Sequence, residues 1–392
     1  PISVEYHLPA FIHHICTNVP AYKYAQDVVG EAMAKQLDSD GKGVRLARKI
    51  YRNSGIETRH SVIPDLSNEP GKRLFFDQEE RFLSPSTKVR NDVYTLEARK
   101  LFSKTAQDLL DAQDSRDAKD PLDAKDPLDD CPPFLPEDVT HVITVSCTGF
   151  FAPGPDYFIV KDLGLKSSTK RFHIGFMGCY AAFPALKMAQ AFCISDPKAV
   201  VLVVCLELCS LHLQPSEDID DIIATSVFAD GVSGALVSAR KPKPNSKALE
   251  IDFFASTIAP DSEGDMAWTI GDHGFDMVLS TYVPRILESN VAEIVDGLLT
   301  ENNLSRSEIN HWAIHPGGRA ILDKVEEGLQ LAPTDLNPSR RVLSQYGNMS
   351  SATILFVIDD MLESDAVNAG DHMYAMAFGP GLTVESALFS KV

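Results

Sequence analysis

Positive charge is scarce in this chain of 392 residues, where 36 lysines and arginines face 55 aspartates and glutamates for a formal net charge of -19. Such a field repels phosphate backbones, which excludes non-specific nucleic-acid binding. Long apolar runs are missing too. No stretch reaches the ~18 consecutive apolar residues of a membrane helix, and the opening PISVEYHLPAFIHHIC carries neither a basic leader nor a small-residue cleavage site. No membrane insertion and a cytoplasmic location are therefore expected. Paired cysteines are also wanting. Cys16, Cys131, Cys147, Cys179, Cys193, Cys205 and Cys209 make an odd number, scattered through apolar segments, which fits reduced thiols better than a disulfide framework. Cys205 and Cys209 share one strand-like stretch with no second pair to complete a zinc site, so no metal is expected.

What is present describes a globular protein: 44% hydrophobic and 23% charged residues, with length enough for two core-forming units or one large duplicated unit. Residues 20–60 read as helical. Within them Arg45, Arg48, Lys49 and Arg52 recur at three- and four-residue spacing, so a helix would present one cationic stripe to a polyanion. TLEARKLFSKTAQDLLDAQ is a second amphipathic helix. It is followed by DAKDPL twice in tandem, read as an acidic surface loop at about 112–132. VTHVITVSC, AVVLVVCLEL and SGALVSA then read as buried strands alternating with a helix, and ARKPKPNSKALE as the junction to a second half. That half repeats the theme with VAEIVDGLL, HWAIHP, ATILFVIDDML, HMYAMAFGPG and LTVESALFS. FADGVSGALV and FGPGLTVESAL each run from a phenylalanine through a Gly-rich turn into a strand, as a duplicated unit would.

Three residues carry candidate chemistry. Cys179, in FMGCYAAFPAL, stands where an apolar segment meets an Ala-rich run, so its sulfur would sit at a helix N-terminus that favours thiolate. His315 lies in WAIHPGGRAIL, a strand-to-loop setting, and Asn348 in SQYGNMSSATILF, at a Gly-marked turn before a helix. Together they form a thiol-acylation site; taken singly they read as a core cysteine, a loop histidine and a helix cap.

The ordered series GCYAAFPAL, FADG, TIAPDSEG, IHPGG, YGNMSSA and FGPGL resembles the type III polyketide synthases, the chalcone synthase relatives within the thiolase superfamily. The resemblance runs from about Val139 to the C-terminus. It implies an α/β protein with the thiolase-like duplicated αβαβα five-layer fold, halves at 1–238 and 239–392, a homodimer, and a tunnel for the pantetheine arm of coenzyme A. By position, Cys179 matches the nucleophile that takes the starter acyl group. His315 matches the histidine that pairs with the thiolate and donates to the thioester carbonyl, and Asn348 the asparagine that donates to the enolate oxygen. Phe228 matches a gating phenylalanine, and Met277 stands where many plant members carry a second. Cys147 and Thr148 replace a Thr-Ser pair, Cys209 and His212 replace two threonines, Trp268 replaces a glycine, and Ala152 stands at a methionine position near the dimer seam; Ser350 is retained. Pro380 to Thr383 match a cavity-shaping loop. Lys49, Arg52 and Arg59 are candidates for the coenzyme A phosphates.

The resulting expectation is an acyltransferase that condenses malonyl-CoA decarboxylatively onto a fatty or medium-chain acyl group on Cys179, with no cofactor, releasing an alkylresorcinol or alkylpyrone. Its rival is a ketosynthase of the same fold that joins two β-ketoacyl chains, bound to coenzyme A or an acyl carrier protein, into an α-pyrone. Two further readings are an initiation ketosynthase making a single condensation, against which GPGL and TIAPDSEG argue, and an inactive dimeric scaffold using the DAKDPL loop.

Overall fold

The computed structural model describes residues 9–37, 41–67, 73–117, 132–243, 246–260, 262–280, 283–364 and 366–392. Its strands are β1 Phe11–Asn18, β2 Tyr22–Ala25, β3 Thr58–Ser61, β4 His141–Ser146, β5 Lys170–Gly175, β6 Val200–Leu208, β7 Asp230–Ser238, β8 Leu249–Ile258, β9 Met266–Gly271, β10 Gly274–Leu279, β11 His311–Ile314, β12 His372–Gly379 and β13 Thr383–Lys391. The helices are α1 Gln26–Ala34, α2 Lys42–Asn53, α3 Thr87–Asp117, α4 Pro155–Asp162, α5 Ala182–Ser195, α6 Ile219–Val227, α7 Val283–Glu301, α8 Arg319–Leu329, α9 Asn337–Tyr346 and α10 Thr353–Leu362.

An unbroken apolar strand has no polar face to give to water, so both of its faces must be covered. β6 is buried along its whole length. Its Val201, Val203 and Cys205 pack into one core, and Val200, Leu202, Val204 and Leu206 into another on the opposite face. β12 divides likewise: Met373, Ala375 and Ala377 join the first core, and Tyr374, Met376 and Phe378 a third. The shared first core holds α5 and α10, the second holds α3, and the third α7 and α8. Helix, sheet, helix, sheet, helix is the αβαβα layering.

The strand order β11-β12-β13-β8-β1-β7-β6-β4-β5 contains a repeat. A parallel pair (β4 with β6, β11 with β12) is followed by two antiparallel neighbours (β7 and β1, β13 and β8). β1 and β8 meet through two residue pairs, Phe11 with Glu250 and Ile12 with Leu249. Phe228 stands just before β7 and Phe378 near the end of β12, so the similar phrases FADG and FGPG lie at equivalent places.

Some readings change. Residues 20–60 are not uniformly helical, because β2 and β3 pair antiparallel on either side of α1 and α2. α3 continues to Asp117, into the stretch read as the acidic loop. The tandem DAKDPL repeat and Cys131 lie outside the described residues.

Candidate active site

Cys179 sits in the short turn Gly178–Tyr180, one step ahead of α5. Gly178 has φ +79°, and a Cβ there would meet Pro380 Cδ at 2.5 Å. That close approach requires glycine and brings the FMGC and GPGL motifs together. His315 follows β11, with its backbone N–H donated to Met376 O at 2.8 Å. Asn348 follows the glycine that ends α9, and its backbone pairs with the segment carrying Phe228: Asn348 N–H donates to Val227 O, and Asn348 O accepts from Ala229 N–H, both at 2.8 Å.

The Asn348 carboxamide is fixed by its bonds. Oδ1 accepts the Ser350 N–H at 2.8 Å and Nδ2 donates to Gly317 O at 3.2 Å, with its second hydrogen directed to the Cys179 sulfur in a long contact. Both carboxamide heavy atoms lie near the Cys179 sulfur, at 3.9 and 4.0 Å. His315 is buried and neither ring nitrogen has a hydrogen-bond partner, a condition that costs stability and needs an explanation. Cys179, His315 and Asn348 all line one small cavity of about 40 Å³.

Burial sets the protonation of this cavity. It pushes the Cys179 thiol up to about 11, against the pull of the Ser350 hydroxyl, and holds the His315 imidazole down at about 3. Desolvation penalises each charge taken alone, so the expected thiolate-imidazolium pair would have to be held by the attraction of its two members for one another. Glu207, a lone acid inside the apolar run of β6, adds to the penalty on the thiolate. It is wholly buried and accepts from Cys147 Sγ at 3.2 Å, Thr148 Oγ1 at 2.9 Å and Ser351 Oγ at 2.5 Å. An acid standing alone in such a strand was the available signal for it.

A second, larger cavity of about 340 Å³ lies alongside. Cys209, Phe228, Trp268 and Met277 line both cavities and form the partition. Trp268 and Met277 face each other across the β9–β10 hairpin, and the Trp268 indole N–H donates to Cys147 O at 2.7 Å. Cys147, Thr148 and Ser350 belong to the small cavity, and His212 to the large one. His212 is locked in place: Nε2 donates to Thr148 O at 2.8 Å, Nδ1 accepts the Phe275 N–H at 3.0 Å, and the ring stacks on Phe275.

The remaining candidates lie elsewhere. Ala152 is exposed and lines neither cavity. Lys49 and Arg52 project from α2 into solvent beside Arg45, while Arg48 is paired with Glu31 at 2.7 Å. Arg59 is no surface cation. It is on β3, buried, and lines the large cavity, with Nη1 donated to Thr225 O and Phe228 O. A guanidinium so engaged cannot serve as a phosphate ligand of the exposed stripe.

Comparison with known proteins follows this geometry. The family profile for chalcone and stilbene synthases matches with its N-terminal domain over residues 133–241 and its C-terminal domain over 250–392. The "Alpha-pyrone synthesis polyketide synthase-like Pks18" of Mycobacterium tuberculosis is 32% identical over 389 residues, covering 98% of this chain and 91% of that one. Among solved structures, PKS-I from the brown alga Ectocarpus siliculosus superposes with TM-score 0.86 at 27% identity, covering 99% of this chain and 100% of that chain. The 1,3,6,8-tetrahydroxynaphthalene synthase of Streptomyces coelicolor gives 0.82 at 27% identity, covering 97% and 99%.

Proposed function

Because this chain belongs to the chalcone synthase-like family of type III polyketide synthases, we propose that it loads a fatty or medium-chain acyl group from acyl-CoA onto Cys179 and extends it with malonyl-CoA. The observation that carries this reading is the convergence of a thiol, an unpartnered imidazole and a fixed carboxamide on one small, mostly apolar cavity.

The chemistry begins with Cys179 and His315 sharing one proton. As Cys179 sulfur attacks the acyl-CoA carbonyl, His315 takes the thiol proton and returns it to the departing coenzyme A sulfur, leaving acyl-Cys179 and coenzyme A. Malonyl-CoA then loses carbon dioxide. The enolate oxygen that develops accepts from the Asn348 Nδ2 hydrogen that at rest points to the Cys179 sulfur and from a His315 N–H, in a largely apolar site where both donors count heavily. The enolate carbon attacks the Cys179 thioester and the carbon–sulfur bond breaks, so the sulfur leaves as a thiolate carrying the charge that the malonyl carboxylate brought in; one proton from solvent, relayed by His315, restores the resting state. The sequence of steps is redox-neutral.

Room for the product lies beyond the partition. The small cavity cannot house a lengthening chain, whereas the large one has Val29, Ile63, Leu66, Phe75 and Phe76 on its walls, the surface an alkyl chain requires. The relative named for alpha-pyrone synthesis favours pyrone over resorcinol release. Lys49 and Arg52 remain our candidates for the coenzyme A phosphates. The same reading includes two halves meeting near residue 239. It also includes a homodimer, for which Phe150 and Tyr157, 41% and 40% exposed beside Ala152, offer apolar surface.

The test is mass spectrometry of protein and products after incubation with a panel of acyl-CoAs plus malonyl-CoA. Acyl-Cys179 and extended products are expected. Product from paired β-ketoacyl thioesters without malonyl-CoA would instead establish the two-chain ketosynthase.

A further inference from the structure

Arg59 poses a question that neither cavity chemistry nor the cationic stripe answers. It is 5% exposed, and its Nε and Nη2 atoms are buried without hydrogen-bond partners. Among the described residues no carboxylate is bonded to it. The Asp230 carboxylate attracts it without bonding to it; a buried cation without a bonded counter-ion still costs the fold free energy, and Nη1 is the nitrogen with hydrogen-bond partners.

That nitrogen serves the end of α6. The last carbonyls of a helix have no partner within it, and here four in succession are taken by donors from outside. Arg59 Nη1 donates to Thr225 O at 2.9 Å and Phe228 O at 2.7 Å. Gln26 Nε2 donates to Ser226 O at 2.7 Å, and the backbone N–H of Asn348 donates to Val227 O at 2.8 Å. A cation at this terminus is also favoured by the helix dipole. Tyr51 completes the support, with its hydroxyl 3.2 Å from Thr225 Oγ1 and its ring under the guanidinium at 5.5 Å. The residue so fixed is Phe228, which lines both cavities, and the strand-like pairing beyond it holds Asn348.

We propose that Arg59, assisted by Gln26, is a positioning residue: it caps the C-terminal end of α6 so that Phe228 is held in the partition, and thereby sets which chain lengths reach Cys179. This rests on the polyketide synthase reading for its consequence in catalysis, though the geometry of access does not. The test therefore uses two readouts on the full-length protein and its Arg59→Met and Arg59→Lys variants. The first is the rate at which Cys179 is alkylated by iodoacetamide and by a long N-alkyl maleimide, followed by peptide mass. The second is kcat/KM for hexanoyl-CoA against palmitoyl-CoA. In Arg59→Met both long-to-short ratios are expected to shift about tenfold or more, within the ~10²-fold that a misplacement near 1 Å can cost, and Arg59→Lys is expected to recover part of the shift. Unchanged ratios in a folded Arg59→Met protein, with only a lower Tm, would overturn the proposal and leave the enzymatic reading intact. Failure of the unmodified protein to form acyl-Cys179 would remove that reading, and the alkylation ratios would still decide the role of Arg59.

Discussion

In the larger cavity His212 is bonded at both ring nitrogens and stacked on an aromatic ring, whereas in the smaller one His315, equally buried, is bonded at neither. Burial drives both imidazoles to about 3, so the contrast lies in their partners. His212 is committed to fold. Its two bonds tie Thr148 to β10 and help to build a wall. His315 is left with its whole donor and acceptor capacity unspent, an unfavourable condition that a reacting group would relieve. An unpaired buried polar group is thus the better marker of chemistry than depth or perturbed pKa alone.

The strongest way to break this contrast is at the sulfur. Cys179→Ala should abolish both acylation by acyl-CoA and product formation, measured by intact mass and chromatography; residual product would remove the mechanism. Next come the donors. Asn348→Ala or His315→Gln should slow malonyl-CoA decarboxylation by about 10²-fold or more, as for the loss of one oxyanion donor, while His212→Gln should have a far smaller effect. Release of labelled carbon dioxide from malonyl-CoA measures this, and similar losses at His212 and His315 would erase the distinction.

The partition gives a smaller effect. Trp268→Ala removes an indole that stands between the cavities and donates to Cys147 O. It should move the product distribution toward bulkier or longer chains by about tenfold, the scale of a methylene or two in a fitted pocket. Because the side chain is only partly buried, the stability loss should stay below about 3 kcal/mol, under the range for a core tryptophan. A panel of acyl-CoAs with product mass spectrometry, beside a thermal melt, would show both.

Much of this was readable in the chain and some was not, for reasons that lie in particular residues. Cys179, His315 and Asn348 each stand in a short motif whose glycines have a packing duty, as Gly178 has against Pro380. The buried strands announced themselves by apolar runs too long to be half-exposed. Arg59, a coenzyme A candidate by resemblance, is turned inward by a four-residue strand that pairs it with Tyr24; a pairing between segments some 35 residues apart leaves no local period. His212 does line the larger cavity, but sequence cannot show that its nitrogens are spent on Thr148 and Phe275. The Trp268–Met277 pair was more accessible, since Gly271 and Gly274 mark a tight turn midway between them.

Acid provides the finest comparison of the two histidines. His13, His212 and His315 are each held near 3 in the fold, chiefly by burial, against about 6.5 in an unfolded chain. Below about pH 6.5 the unfolded state therefore binds more protons, so the stability these groups permit above that value is progressively lost as pH falls toward 3. Asp230 and Asp252, raised to about 6 by burial, act in the opposite sense: the folded state takes their protons first, which gains stability as pH falls through 6. His60, His141 and His173 are also lowered by burial and Glu207 and Glu385 also raised, so six imidazoles oppose four carboxyls and a net acid loss is expected. His212→Gln can keep a donor and an acceptor at the wall while removing one titrating group, so denaturant midpoints measured between about pH 7 and 4 should fall less steeply than in the parent. His315→Gln should flatten the same limb while also losing decarboxylation. If His212→Gln left the slope unchanged, His212 would have to be charged in the fold, and the wall it builds would carry a proton that the Phe275 N–H leaves no room for.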